Sequence, residues 1–118
     1  MNKITKAFEE EITGARKWIL SLEDNWDDEG AVAYKPEVFG RAVSFFRVIE
    51  VATRTMRFKL SIPRITPGPD GSIDIYWGDS KLSALFNVKQ DGSADYSWFE
   101  TFKGEGYTNE EEGNLKSE

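Results

Sequence analysis

The repeat of apolar residues changes from a helical period to an extended one near residue 58, and this change constrains the fold more than any other feature. Before it, apolar residues recur at steps of three and four, which places their side chains on one face of an α-helix. After it, apolar and polar residues alternate, as in a strand with one buried face. The pattern predicts a two-layer α+β domain in which helices precede an antiparallel sheet.

Two N-terminal helices are predicted. The first covers residues 3–23, and the second begins at Pro36, because the fixed φ of proline suits the first helical position. Gly40 lies in the first turns of the second helix, where the missing side chain allows another element to pack closely. The predicted buried stripes are Ile4, Phe8, Ile12, Ala15, Ile19 and Leu22 in the first helix, and Phe39, Ala42, Phe46, Ile49, Thr53 and Met56 in the second.

The alternating part of the chain predicts a meander of three to four strands. Three strands lie at about residues 73–77, 82–88 and 94–98, and the proline-rich segment 60–66 supplies the fourth, edge strand. Two helices would cover one face of this sheet and leave the other face to solvent.

The turn residues predict the register of the meander. A three-residue connection with Gly92 in the left-handed conformation places Val88 opposite Ala94 and keeps one face apolar, whereas a two-residue turn does not. The same reasoning places Trp77 opposite Leu82 on the preceding strand pair.

The composition of the C-terminal segment differs from that of the rest of the chain. Residues 104–118 contain five Glu and one Lys among glycines and have little to bury, which is typical of a disordered acidic tail. The predicted organisation is therefore a single domain over residues 1–103, followed by this tail.

The 118-residue chain contains no Cys and no His. Thiol nucleophiles, Ser-His-Asp triads and imidazole acid–base chemistry are therefore excluded. We expect no enzymatic activity, no catalytic residue, no cofactor and no metal. No apolar run approaches the ~18 residues of a membrane span, and the N-terminus has no apolar signal core, so a cytoplasmic location without a membrane partner is expected.

The loop 23–29 holds five acids in seven residues. Asn25, Asp27 and Glu29 match positions one, three and five of a calcium loop, but position twelve is Pro36 instead of a bidentate Glu. One alternative function is therefore a calcium site or a carboxylate-based hydrolase site in this loop. The other interpretation is a connector whose acidic side chains cap backbone amides and whose Trp26 closes the helix–sheet junction.

The net charge is −6, yet the segment 41–64 is basic. Its Arg47, Arg54, Arg57 and Arg64 indicate an alternative function in nucleic-acid binding, which would fall steeply with salt. The simpler interpretation is that these side chains pair with acids elsewhere in the fold. Because the chain is acidic in total, nucleic acid is not the partner that we expect.

The solvent face of the predicted sheet carries apolar side chains. The predicted register places Tyr76, Ser83 and Phe99 in one row and Leu85 beside Asp74 in the adjoining row. Exposed aromatic and aliphatic side chains on a sheet are typical of a contact surface. We therefore expect Tyr76, Leu85, Phe99 and Asp74 to bind a protein partner or a second copy of the chain. The alternative interpretation is that a tail segment or the 60–66 strand folds over these side chains.

Two segments also carry a resemblance to known proteins. They are Asn-Trp-Asp-Asp-Glu-Gly-Ala at 25–31 and Pro-Arg-Ile-Thr-Pro-Gly-Pro-Asp-Gly-Ser-Ile-Asp-Ile-Tyr-Trp at 63–77. Together they resemble a group of small bacterial and phage proteins that have a Trp-Asp-x-x-Gly-Ala loop and no established activity. The resemblance implies one compact domain of prokaryotic or phage origin, and it carries over no catalytic residue. With the residues above, it favours a small non-enzymatic inhibitor or modulator, antitoxin-like or anti-defence.

Overall fold

The computed structural model describes residues 3–56, 62–78, 82–101 and 107–115, and for residues 52, 53, 56, 82, 99–101, 107–112 and 115 it describes the backbone alone. The helices are α1 (Lys3–Ile19) and α2 (Pro36–Met56), and the strands are β1 (Arg64–Pro67), β2 (Ile73–Gly78), β3 (Leu82–Val88), β4 (Ala94–Thr101) and β5 (Tyr107–Leu115). The strands form one sheet in chain order, and every neighbouring pair is antiparallel. The α+β class is confirmed, with more strands than predicted.

Helix α1 ends at Ile19, four residues before the predicted end. Its last helical bond joins the Leu20 N–H to the Arg16 carbonyl at 3.0 Å, and Ser21 N–H then bonds three residues back, to Trp18. The Ser21 hydroxyl donates to the same Trp18 carbonyl at 2.6 Å. The Trp18 carbonyl thus accepts two bonds from Ser21, and the chain turns away from the helix axis.

The core lies between the two helices and the first strands. α1 contacts β1, and α2 contacts β2. The rings of Phe8 and Phe46 are fully buried and lie 4.8 Å apart. The predicted stripes supply the helical side of the core through Phe8, Ile12, Ala15, Ile19, Phe39, Ala42, Phe46 and Ile49. Two predicted members differ, since Ile4 is 37% exposed and Leu22 is only partly buried. In the described parts of both helices, no segment has the length and hydropathy that a membrane span requires.

Gly40 does not mark a packing contact. A Cβ built on Gly40 meets no atom within 4 Å, and the residue is exposed on α2. The expectation of a close neighbour there was wrong, because the buried face of α2 passes through Phe39 and Ala42 on either side of it.

The register predictions had opposite outcomes. Val88 lies opposite Ala94, and Gly92 has a φ of 89°, so the three-residue connection is confirmed. Trp77, however, lies opposite Ala84 instead of Leu82. This pairing is shifted by two residues, which keeps every side chain on the same face, so the alternation of the sequence could not detect it.

The two edges of the sheet differ. At β1, the Ile65 N–H donates to the Glu11 carboxylate at 2.9 Å, and Pro67 has no N–H. These two residues are two apart, so their backbone nitrogens lie on the same side of the strand. The predicted edge strand thus exists, over Arg64–Pro67, and its outward nitrogens are closed to a further strand.

The opposite edge is formed by β5, which pairs along β4 from Ala94 opposite Leu115 to Thr101 opposite Tyr107. Residues 107–115 lie within the segment for which the sequence predicts disorder. The segment lacks an apolar alternation, and backbone pairing with β4 is what positions it.

Candidate functional site

The side of the sheet that faces away from the helices carries most of the residues predicted to bind a partner. We call this surface the outer face and define it by Asp74, Tyr76, Leu85, Asn87, Asp95 and Ser97. Tyr76 lies opposite Leu85, which lies opposite Ser97. The next row contains Asp74, Asn87 and Asp95 in the same strand order.

This arrangement corrects the predicted rows. Ser83 does lie opposite Phe99, but Tyr76 shares its row with Leu85 and not with Ser83 and Phe99. The cause is the two-residue shift between β2 and β3. The shift brings together two of the four predicted residues, while the side chain of Phe99 lies outside the described part of the structure.

Tyr76 is 46% exposed, and Leu85 beside it is half-buried. Next to this pair is a hollow of about 550 Å³, lined by Leu85, Asn87, Asp95 and Ser97 among others. The exposed Tyr76 lies near a hollow with both apolar and polar walls, and such a surface can contact an apolar side chain and its polar neighbours at the same time.

Hydrogen bonds hold the two outer-face carboxylates in place. The Asn87 amide donates to Asp74 at 2.8 Å and to the Ser72 hydroxyl at 2.7 Å. Burial raises the pKa of Asp74, and the bond from Asn87 opposes this rise. The bonds that Asp95 accepts, first from Asn114 at 2.7 Å and then from Lys89 at 3.0 Å, lower the pKa of Asp95.

The basic segment is largely engaged within the fold. Arg47 contacts Glu9 at 2.6 Å and Glu50 at 3.7 Å, and the bond from Arg47 lowers the pKa of Glu9. Arg54 also contacts Glu50, at 3.7 Å, and Arg64 contacts Glu11 at 3.2 Å. Of the four arginines that indicated nucleic acid, three therefore have carboxylate partners, and the fourth, Arg57, lies outside the described residues.

The acidic loop uses its side chains to hold its own backbone. Asp27 Oδ1 accepts the N–H groups of Glu29 at 2.9 Å and Ala31 at 3.1 Å, and these bonds lower the pKa of Asp27. Asp24 and Asn25 accept further backbone amides of the loop in the same way. These bonds agree with the interpretation of the loop as a connector whose acidic side chains cap backbone amides. In the described ranges, no group of three or more acidic side chains is placed to hold a metal ion.

The two segments that carry the resemblance meet in space. The hydroxyl of the buried Tyr34, which follows the acidic loop, donates to the carbonyl of Ser72 at 2.6 Å and to that of Gly68 at 3.2 Å. The Gln90 amide donates to the Asp70 carbonyl at 3.0 Å. These bonds connect the acidic loop, the 68–72 turn and the β3–β4 connection at one end of the sheet.

A cleft of about 410 Å³ lies between these segments. We define the cleft by Trp26, Asp27, Glu29, Val32, Asp70 and Gln90. Val32 is 66% exposed at this end of the molecule, and the rings of Trp26 and Tyr34 lie 6.3 Å apart. Trp26 Nε1 is buried and has no hydrogen-bond acceptor within the described part of the chain.

The backbone at this end is unusual. The described residues include three non-glycine residues with positive φ, namely Asn25 at 64°, Asp28 at 62° and Asp70 at 54°. All three lie in the segments that border the cleft. Asn and Asp tolerate this conformation better than other side chains, which explains why these residue types stand there.

Sequence reasoning identified both segments but explained them as separate turns, and it did not predict that they form one cleft. The positive-φ positions are visible only in the structure, and Gln90 carries no signal in the sequence. Comparison of the chain with protein-family models, curated protein sequences and solved structures found no match.

Proposed function

We propose that this protein is a non-enzymatic protein-binding module and that its outer face binds a partner with a basic, partly apolar surface. The observation that carries the proposal is the 46%-exposed Tyr76 packed beside Leu85, with the carboxylates of Asp74 and Asp95 in the adjoining row. Aromatic side chains at such positions supply much of the energy of protein interfaces.

The charges of the outer face favour one class of partner. Carboxylates beside the apolar pair repel nucleic-acid phosphates and attract Lys and Arg side chains. If two copies joined through this face, Asp74 and Asp95 of both copies would be brought together, which disfavours a homodimer. The arginines that would serve nucleic-acid binding are engaged with Glu9, Glu11 and Glu50.

The absence of His and Cys from the sequence is consistent with this proposal. Without His or Cys, general acid–base catalysis would depend on carboxylates, Lys or Tyr. The outer-face carboxylates instead accept hydrogen bonds from Asn87, Asn114 and Lys89, which suits fixed recognition groups. An acidic inhibitor or modulator of a basic target has this character.

The test is capture of a partner from the native host, its identification, and titration of the purified partner by calorimetry. We expect the double variant Tyr76→Ser/Leu85→Ser to bind at least about ten-fold more weakly, since central apolar side chains dominate interface energies. The matched control is Val48→Ser/Val51→Ser, which removes two valines that are 68% and 52% exposed on α2, on the other side of the sheet.

We expect the α2 double variant to bind within about two-fold of the wild type. Circular dichroism must show that both variants are folded. Equal binding by the wild type and the folded outer-face variant would refute the proposal. Sedimentation of the free protein as a dimer that this variant abolishes would assign the outer face to a second copy instead.

A further inference from the structure

We infer that the cleft binds the guanidinium or ammonium group of a basic side chain from a protein partner. The cleft lies at the end of the sheet between the acidic loop and the 68–72 turn, and its volume of about 410 Å³ is within the range of small-ligand sites. A single long side chain can therefore enter it.

The charge of the cleft selects a cation. Among the described residues that line the cleft are Asp27, Glu29 and Asp70 but no Lys or Arg. The nearby Lys89 contacts Asp95 at 3.0 Å, and the Arg41 guanidinium donates to the Gln90 carbonyl. These two basic side chains are thus bonded to groups other than the three cleft carboxylates.

Trp26 adds a second, independent feature. An indole attracts a cation over its face, and arginine forms this contact most often. The Nε1–H of Trp26 is buried without an acceptor in the described structure, as is that of Trp77, which does not line the cleft, so this donor does not by itself indicate a ligand. Because Nε1 is closed off, Trp26 contributes its ring to the cleft wall, and a cationic side chain can pack against that ring.

The cleft is continuous with the outer face. A second hollow, of about 430 Å³, is lined by Asp70 and Gln90 of the cleft and by Asn87 of the outer face. A partner on the outer face could therefore place a basic side chain in the cleft. The choice of a protein as the source of the cation rests on the proposed function, whereas the preference for a cation does not.

The test uses the full-length protein and the capped tripeptide Ac-Gly-Arg-Gly-NH2, with the citrulline peptide as a neutral control of the same shape. The readout is the indole N–H resonance of Trp26, assigned by Trp26→Phe, at low ionic strength where charge pairs are least screened. We expect the arginine peptide to shift this resonance in a saturable way and the citrulline peptide to leave it in place.

A matched pair of variants locates the binding site. Asp70→Asn and Asp28→Asn each remove one negative charge at a positive-φ position, where asparagine is tolerated, but only Asp70 lines the cleft. We expect Asp70→Asn to weaken binding of the arginine peptide about three-fold and Asp28→Asn to leave it unchanged.

An equal response to the citrulline peptide, or equal weakening by both variants, would overturn the inference. Spermidine provides a further arm, and its binding ten-fold or more tightly than the arginine peptide would assign the cleft to a free polyamine, not a protein. Because the peptide does not need the outer face, Tyr76→Ser/Leu85→Ser should bind it normally. Failure of the outer-face proposal would therefore leave this result unaffected.

Discussion

Tyr34 joins the two segments that border the cleft, and Tyr34→Phe tests how much this connection stabilises the fold. The variant removes the hydroxyl that donates to the Ser72 carbonyl at 2.6 Å and to the Gly68 carbonyl at 3.2 Å, while the ring remains. The Ser72 carbonyl still accepts the Gly68 N–H at 2.9 Å, so it does not become an unpaired buried group.

The expected loss is therefore that of one buried hydrogen bond, about 1 kcal/mol in the free energy of unfolding. For a chain of 118 residues this lowers Tm by about 4 °C. Urea unfolding followed by circular dichroism and tryptophan fluorescence measures the free energy of unfolding, and thermal unfolding followed by circular dichroism measures Tm. The control is Tyr76→Phe, which removes a hydroxyl from a 46%-exposed side chain and should change stability by less than about 0.5 kcal/mol.

The pH dependence provides a separate readout of the burial of the same hydroxyl. Burial raises the pKa of Tyr34 above its ordinary value, so the unfolded chain releases the proton at a lower pH than the folded protein does. Stability from this group is present below about pH 10 and is lost as the pH rises through the folded pKa. The difference between the wild type and Tyr34→Phe should therefore narrow above about pH 10. Equal stability of Tyr34→Phe and wild type at pH 7, or a difference that stays constant to pH 11, would refute the reasoning.

Three further variants test the core, helix α2 and the outer face. Phe46→Ala removes a fully buried ring 4.8 Å from Phe8 and should lower the free energy of unfolding by about 3–5 kcal/mol in urea titrations; a loss below about 1 kcal/mol would contradict the packing. Gly40→Ala should instead raise stability by about 0.5–1 kcal/mol, because the new methyl meets open space on a helix, and a loss would show a contact that the structure lacks. Burial raises the pKa of Asp74, so its ionisation costs stability as the pH rises from about 4 through the folded pKa. The melting temperature of Asp74→Asn should therefore increase relative to that of the wild type between pH 4 and pH 7. If the gap is the same at both pH values, the Asp74 carboxylate is not desolvated.

The sequence predicted the features for which an error would move apolar side chains to the solvent face of the sheet. A one-residue error at the β3–β4 turn would turn Val88 and Phe86 to solvent, so the apolar alternation selects the three-residue connection, and the structure confirms it. A two-residue error at β2–β3 turns no side chain over, and there the prediction failed. The partner-binding row changed for the same reason, since Tyr76 moved from Ser83 to Leu85 with the register.

The sequence could not predict features that depend on backbone pairing or on long-range contacts. β5 has no apolar alternation, and only its bonds to β4 identify it as a strand. The cleft depends on the Tyr34 hydroxyl, which contacts carbonyls 34 and 38 residues away. The turn residues of both segments indicate local conformation alone, so their meeting point is a property of the tertiary fold.

The unequal edges of the sheet set a limit on self-assembly. Growth of a fibre by strand addition needs an accepting edge on both sides of every subunit. Here the Glu11 carboxylate already accepts the outward N–H of Ile65, and Pro67 has no N–H, so neither residue can donate a hydrogen bond to an added strand. If strands were added at the β5 edge alone, assembly would stop at two molecules. Replacing Glu11 and Pro67 together would remove this limit on assembly. The β1 edge therefore protects the protein against polymerisation in addition to forming part of the fold.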